Sequence, residues 1–313
     1  KEVQEIADRL TILRDGRIVY QGAAGSLSLE DIVLHMTGTK QAATAKQART
    51  YGSEIAFAAR GIKIDKTSTT VDIYAHRGEI VGIAGLVGAG KTELAESLVA
   101  HRKTSGEWQL DGQHYTFSSP YEAIAAGLCL IPEERRKQGL FLPESVQTNL
   151  TVRLLSWLSR WQWISRMKET DAANGLVRSL GIHPPSPSTA VRHLSGGNQQ
   201  KVVIGKWLNT NARVFLFDEP TKGIDVHAKQ DVFSIIRTLA DEGKTVLYFS
   251  SEFRELLEVC DTIYIMVDGR LLARLPAAEL TYEQLVYYCS GGEIDGPAGR
   301  FRDTVEKSGV VYS

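Results

Sequence analysis

The sequence predicts an α/β fold with a mostly parallel central sheet, and three observations predict it. Strand-like and helix-like patterns alternate from Tyr51 to about Gly291. Two strand-like runs, Val214-Phe215-Leu216-Phe217 and Thr245-Val246-Leu247-Tyr248-Phe249, are apolar without interruption. A strand with no polar face is buried on both sides, as strands of a helix-covered parallel sheet are. A third run, Glu79-Ile80-Val81-Gly82-Ile83-Ala84, enters a glycine-rich loop and then a helical pattern from Lys91 to Ala100.

Composition bounds the function classes. The 313 residues suffice for one large domain or two modest ones. A net charge of −1 supplies no overall positive field, so nucleic acid is not an expected partner. The three cysteines, Cys129, Cys260 and Cys289, are widely spaced and form no C-x-x-C pair. They read as small buried hydrophobes in a cytosolic chain rather than as a disulfide or zinc set. No segment reaches the roughly 18 consecutive apolar residues of a membrane span.

The first residues repeat a stretch near the C-terminus at one fixed offset. Glu5-Ile6-Ala7-Asp8 falls on Glu258-Val259-Cys260-Asp261, and Ile12 on Ile265. Asp15-Gly16-Arg17 falls on Asp268-Gly269-Arg270, Ser28-Leu29-Glu30 on Thr281-Tyr282-Glu283, and Gly38 on Gly291. Each copy reads as a strand, an Asp-Gly turn, a second strand and a helix capped by Ser28 or Thr281. Residues 1–38 are therefore expected to be the tail of a first domain. Residues 39–50, polar and basic, read as a linker, and 51–291 as a complete second domain.

Between about 145 and 193 the pattern turns helical, carries Trp157, Trp161 and Trp163, and closes in His183-Pro184-Pro185-Ser186-Pro187. This stretch reads as a helical insert, its tryptophans packing within it or forming a docking face. Residues 292–313 form a polar tail.

Gly85-Leu86-Val87-Gly88-Ala89-Gly90-Lys91-Thr92 fits G-x-x-x-x-G-K-[ST] and lies between a strand and a helix, where a phosphate loop belongs. Glycines let backbone amides converge on phosphate oxygens, and the helix N-terminus adds its positive end. Lys91 supplies a point charge to terminal phosphates, and the Thr92 hydroxyl suits Mg²⁺. Downstream, the strand Val214–Phe217 ends in Asp218-Glu219-Pro220. That places one carboxylate, Asp218, toward a metal and the next, Glu219, beside an attacking water. The expected ligands are ATP and Mg²⁺.

Leu194-Ser195-Gly196-Gly197-Asn198-Gln199-Gln200 completes the set, and with it the chain resembles the ABC-type ATPases over its whole length. The resemblance narrows on the Asn-Gln-Gln form of this signature, on Ile131-Pro132-Glu133-Glu134-Arg135-Arg136, and on Asp218-Glu219-Pro220-Thr221-Lys222-Gly223-Ile224-Asp225. It points to the second cassette of the tandem-cassette ATPases that drive ribose-, galactose- or xylose-type sugar importers. The fold so implied adds an N-terminal antiparallel β portion and a helical insert to the parallel sheet. Ser195, Gly196 and Gly197 would clamp a phosphate held by another cassette, either the first one of the same full-length protein or a second copy. The resemblance further implies a transmembrane permease, indirectly an extracytoplasmic sugar-binding protein, and a peripheral place on the cytoplasmic face of the inner membrane.

Three positions depart from the general pattern of that family. Glu133 stands where the lid glutamine that touches Mg²⁺ is expected, and Ser251 where the switch histidine is expected. A serine has neither the charge nor the reach of histidine. The one candidate for stacking on adenine, Phe57, also reads as a strand core residue. The resemblance thus implies an ATPase with Glu219 as general base; the alternative is a cassette that binds nucleotide and hydrolyses it slowly or not at all.

Overall fold

The computed structural model describes residues 6–14, 17–28, 31–32, 34–35, 49–64, 70–155, 159–160 and 163–294. The chain opens on a hairpin of β1 (Arg9–Arg14) and β2 (Arg17–Ala23). The body follows with β3 (Ile55–Lys63), β4 (Thr70–His76), β5 (Ile80–Ala84), α1 (Lys91–Leu98), β6 (Glu107–Leu110) and β7 (Gln113–Tyr115). Next come α2 (Pro120–Ala126), β8 (Leu128–Ile131), α3 (Val146–Thr151), β9 (Ser159–Arg160), β10 (Trp163–Ile164) and α4 (Arg166–Ser179). The last third holds α5 (Gly196–Leu208), β11 (Val214–Asp218), α6 (Val226–Asp241), β12 (Thr245–Ser250), α7 (Phe253–Val259), β13 (Thr262–Val267), β14 (Arg270–Pro276) and α8 (Tyr282–Cys289).

The central sheet runs β14-β13-β5-β12-β11-β8. Its five inner and far-edge strands are mutually parallel, and β14 closes one edge antiparallel to β13. Alternation explains the continuous apolar runs. Phe215, Phe217, Val246, Tyr248, Ile263 and Ile265 enter one core with α3 to α8. Their neighbours Val214, Leu216, Leu247, Phe249, Tyr264 and Met266 enter the other, with α1 and a four-stranded antiparallel sheet. That second sheet, β4-β3-β6-β7, is the antiparallel portion expected from the resemblance. Phe57 is fully buried in it, between Ala75 and Leu110, and so is a core residue. All three cysteines are buried, and no disulfide joins them.

The repeat carries into geometry. Both hairpins shift register at the equivalent step, between Ile12 and Leu13 in one and between Ile265 and Met266 in the other. Both are closed by the same backbone bond, Ala24 N to Asp8 O at 3.1 Å and Ala277 N to Asp261 O at 2.9 Å. The predicted caps are present too. Thr281 forms a capping box with Gln284, and the Ser28 hydroxyl accepts the Asp31 amide. The Asp15-Gly16 turn, linker residues 39–48 and tail residues 295–313 lie outside the described residues.

The 145–193 stretch needs one correction: it is not wholly helical. Beside α3, α4 and a short 3-10 turn at Val191–His193 it holds a ribbon pairing Trp163 with Arg160 and Ile164 with Ser159. A pair of two-residue strands is too short to imprint a period on the sequence. Trp157 and Trp161 lie outside the described residues.

Two buried charges fix the start of β5. Glu79 is fully buried and accepts from the His76 amide at 2.8 Å, from Thr262 Oγ1 at 2.7 Å and from Arg274. The Arg274 guanidinium also lies over the Tyr74 ring, 4.2 Å from its centroid. Beside it, Asp261 Oδ2 accepts the Ile80 amide at 2.9 Å and Arg49 Nη1 at 3.0 Å, while Arg49 Nη2 reaches Asp241. Burial pushes the Glu79 carboxyl up, but the His76, Arg274 and Thr262 contacts outweigh it and hold the group below the usual carboxylate range.

A Glu79→Gln substitution leaves Arg274 buried without its counter-charge and should cost about 3 kcal/mol of stability at neutral pH. Because the folded-state pKa is depressed, the native contribution is present above the unfolded value and lost as pH falls through the folded one. Urea denaturation curves of the two proteins should therefore converge as pH drops below about 4.

Candidate functional site

The residues at the C-terminal ends of β5, β11 and β12 converge, as topology requires of neighbouring parallel strands. From β5 the chain turns through residues 85–90 into α1. A Cβ on Gly85 would stand 2.9 Å from Met266 O, and Gly90 holds a φ of +98° that side-chain-bearing residues rarely adopt. The β13–β14 turn pins the loop, Gly269 N donating to Ala89 O at 2.8 Å. Lys91 is 6% exposed, and its Nζ donates to the carbonyls of Gly85 and Leu86, each at 3.0 Å. The loop is thus a backbone cradle with an ammonium folded into it, while Val87 at its crest is open to solvent.

Asp218 closes β11 and is buried, and its Oδ1 has no hydrogen-bond partner among the described residues. Burial pushes its carboxyl up to about 7; a bond from Thr92 opposes this, Glu133 and Glu219 add to it, and Lys91 opposes it. An orphaned buried carboxylate oxygen beside a threonine hydroxyl has the chemistry that suits a hard cation. Among the described residues no three His, Cys, Asp or Glu side chains converge to cage an ion by themselves. Mg²⁺ needs no such cage, since it commonly sits on one or two carboxylates plus phosphate oxygens. The donor set fits it.

Glu219 occupies a left-handed backbone conformation at φ 44°, and its amide donates to Phe249 O at 2.9 Å. Such a conformation costs about 1–3 kcal/mol for a residue with a side chain. Its carboxylate accepts Ser250 Oγ at 3.1 Å and the Ser251 amide at 2.8 Å, and lies 3.6 Å from Lys91 Nζ. Ser251 stands at the expected switch position by its side chain. The structure brings its backbone amide to Glu219 and adds the Ser250 hydroxyl, which no spacing rule singled out.

Glu133 lies at the same mouth, its Oε2 3.5 Å from Thr92 Oγ1 and its Oε1 on the Lys222 ammonium. Arg135, two residues on, donates to the carbonyls of Lys222 at 2.6 Å and Gly223 at 3.0 Å. Neither partner was anticipated, because the two segments lie nearly ninety positions apart in the chain.

Ser195 caps α5 by accepting the Asn198 amide at 3.4 Å and Asn198 Nδ2 at 2.9 Å. The two glycines after it are demanded by close packing. A Cβ on Gly196 would meet Arg135 Nη2 at 2.8 Å, and one on Gly197 would meet Ala228 Cβ at 2.2 Å. No hydrogen bond or ion pair among the described residues links 195–197 to 85–92.

Comparison with known proteins follows the same lines. A family model described as "ABC transporter" matches residues 68–222. A ribose import ATP-binding protein of Rubrobacter xylanophilus is 38% identical over 299 residues, 95% of this chain and 57% of that protein. Another of Pseudomonas putida is 38% identical over 294 residues, 94% of this chain and 57% of that one. The chain thus spans a little over half the length of the curated relatives it matches. In fold, it superposes on a crystallised nucleotide-free ATP-binding cassette of an ABC transporter with a TM-score of 0.61 at 20% identity, covering 70% of this chain and 90% of that one. A dimeric cassette bound to ADP and phosphate gives 0.60 at 19% identity, covering 71% and 98%. Sequence kinship, sheet order and the cradle between β5 and α1 agree, and the chain belongs to the ATP-binding cassettes of the ABC transporter family.

Proposed function

We propose that this chain binds and hydrolyses ATP to energise import of a sugar or sugar-like solute. The observation that carries the chemistry is the orphaned oxygen of the buried Asp218, a carboxylate that also takes a bond from Thr92 beside an amide cradle. The solute class rests on the names of the ribose import relatives. Amides of residues 85–90 and the N-terminus of α1 receive the β- and γ-phosphates, and the Lys91 ammonium leaves the Gly85 and Leu86 carbonyls to meet them. Thr92, Asp218 and Glu133 would hold Mg²⁺, which when bound neutralises charge on the phosphate oxygens. Glu219 accepts the proton of the attacking water once Lys91 has been drawn away from it.

The reading extends to assembly. Residues 1–38 are the tail of a first cassette, joined through 39–50 to the cassette of 51–291. Ser195, Gly196 and Gly197 act on a phosphate held by that first cassette or by a second copy of this one. The partners are a membrane permease and, through it, an extracytoplasmic sugar-binding protein. The chain's place is peripheral, at the cytoplasmic face; no helix among the described residues is long and apolar enough to cross a membrane.

A specific observation favours a slow site. Glu219 is engaged by Ser250, Ser251 and Lys91 at once, and the position expected to carry a histidine carries Ser251. A serine there offers the γ-phosphate no imidazole donor.

Calorimetry should find Mg·ATP binding that Lys91→Ala weakens at least about tenfold, a loss of about 1.4 kcal/mol or more. Equal affinity in the two proteins refutes the phosphate-loop reading, and chelation of Mg²⁺ should abolish turnover. In a phosphate-release assay, Ser251→His should raise turnover several-fold with nucleotide affinity unchanged. If it does not, the missing imidazole is not what limits the site. Glu219→Gln should reduce turnover about a hundredfold or more while ATP still binds.

A further inference from the structure

Lys222 belongs to neither the cradle nor the signature, yet it reaches across to the mouth of the site. Its ammonium holds Glu133 Oε1, while the other oxygen of that carboxylate lies 3.5 Å from Thr92 Oγ1. The Glu133 carboxylate therefore stands between a lysine and the hydroxyl of a metal-side threonine. Its neighbours do not compete for it: Glu134 pairs with Lys137, and Arg135 spends its guanidinium on two carbonyls.

We infer that Lys222 is a positioning residue for the cation side of the site: it detains Glu133 and yields it when a divalent cation enters. The inference rests on the phosphate-site reading and concerns which of this chain's residues regulate it. The strength of the pair suits an exchange. The Lys222 side chain is 66% exposed and that of Glu133 28%, and ion pairs so wetted are worth about 0–1 kcal/mol. A doubly charged ion outbids such a contact, whereas the Glu79–Arg274 pair, with Glu79 fully buried and Arg274 13% exposed, would not let go.

The backbone of the same residue is held fast. Lys222 N donates to Glu219 O at 3.1 Å, Lys222 O accepts Arg135 Nη1 at 2.6 Å, and Gly223 O accepts Arg135 Nη2 at 3.0 Å. Only the side chain is free to release. When it does, its charge becomes available on the turn that leads from Glu219 to the Asp225 cap of α6.

The test is Mn²⁺ binding to the full chain in the presence of a non-hydrolysable ATP analogue, read by electron paramagnetic resonance. Lys222→Met should tighten Mn²⁺ about threefold to fivefold, the value of an exposed ion pair no longer in competition. Glu133→Gln should weaken Mn²⁺, and adding Lys222→Met to Glu133→Gln should change nothing further. Lys222→Arg, which keeps the charge and confirms tolerance of the turn to substitution, should behave as the native chain. A change below twofold in Lys222→Met overturns the inference. So does an equal gain with and without Glu133, which would report only the general field of a lost cation. If the native chain binds the analogue but no Mn²⁺ beyond the free analogue's own, or binds neither, the phosphate-site reading fails together with it.

Discussion

Strand β5 is gripped between β12 and β13 and covered on both faces, so it has no polar outlet along its length. Its side chains alternate between two apolar cores, its backbone pairs with both neighbours, and its first amide is held by Asp261. Past Ala84 the chain leaves the sheet. The cradle of residues 85–90 follows directly, and α1 starts where the loop ends. Asp218 and Ser250 end the adjacent strands at matching depth, since Asp218 pairs with Phe249 and Ser250 with Ala84. Parallel register, more than any local preference, delivers an ammonium, two carboxylates and a hydroxyl to one spot.

That spot is electrostatically unfinished. Asp218 is buried with one oxygen unbonded and its carboxyl pushed up to about 7, while Glu133 and Glu219 crowd its charge. The acids are held apart by makeshift partners: Glu133 by Lys222, and Glu219 by Lys91, Ser250 and the Ser251 amide. A cation and a polyphosphate would satisfy the whole set together. Neither alone does, because a cation leaves the amides empty and a polyphosphate adds charge beside the carboxylates.

Legibility in the sequence followed distance along the chain. The cradle, the Asp218-Glu219 strand end and the capped Ser195 helix are each contiguous, so residue type and neighbours identified them. The two-faced strands were legible because burial on both sides writes itself as unbroken apolar runs. The repeat was legible too, down to a shared register shift at Ile12 and Ile265. The Glu133–Lys222 and Arg135–Gly223 contacts were not, since no period or spacing links residues that only the fold brings together. The choice between Ser250 and Ser251 was equally closed to the sequence, for it turns on which way one strand end twists. The β9–β10 ribbon was too short to announce itself.

Arg49 has a mechanical meaning. Its guanidinium bridges Asp241 at the end of α6 and Asp261 before β13, and the Asp261 carboxylate also holds the first amide of β5. The bridge ties the start of the 49–64 segment to a helix and a sheet at once. The strand whose foot is fixed by this bridge is the one whose far end leads into the cradle.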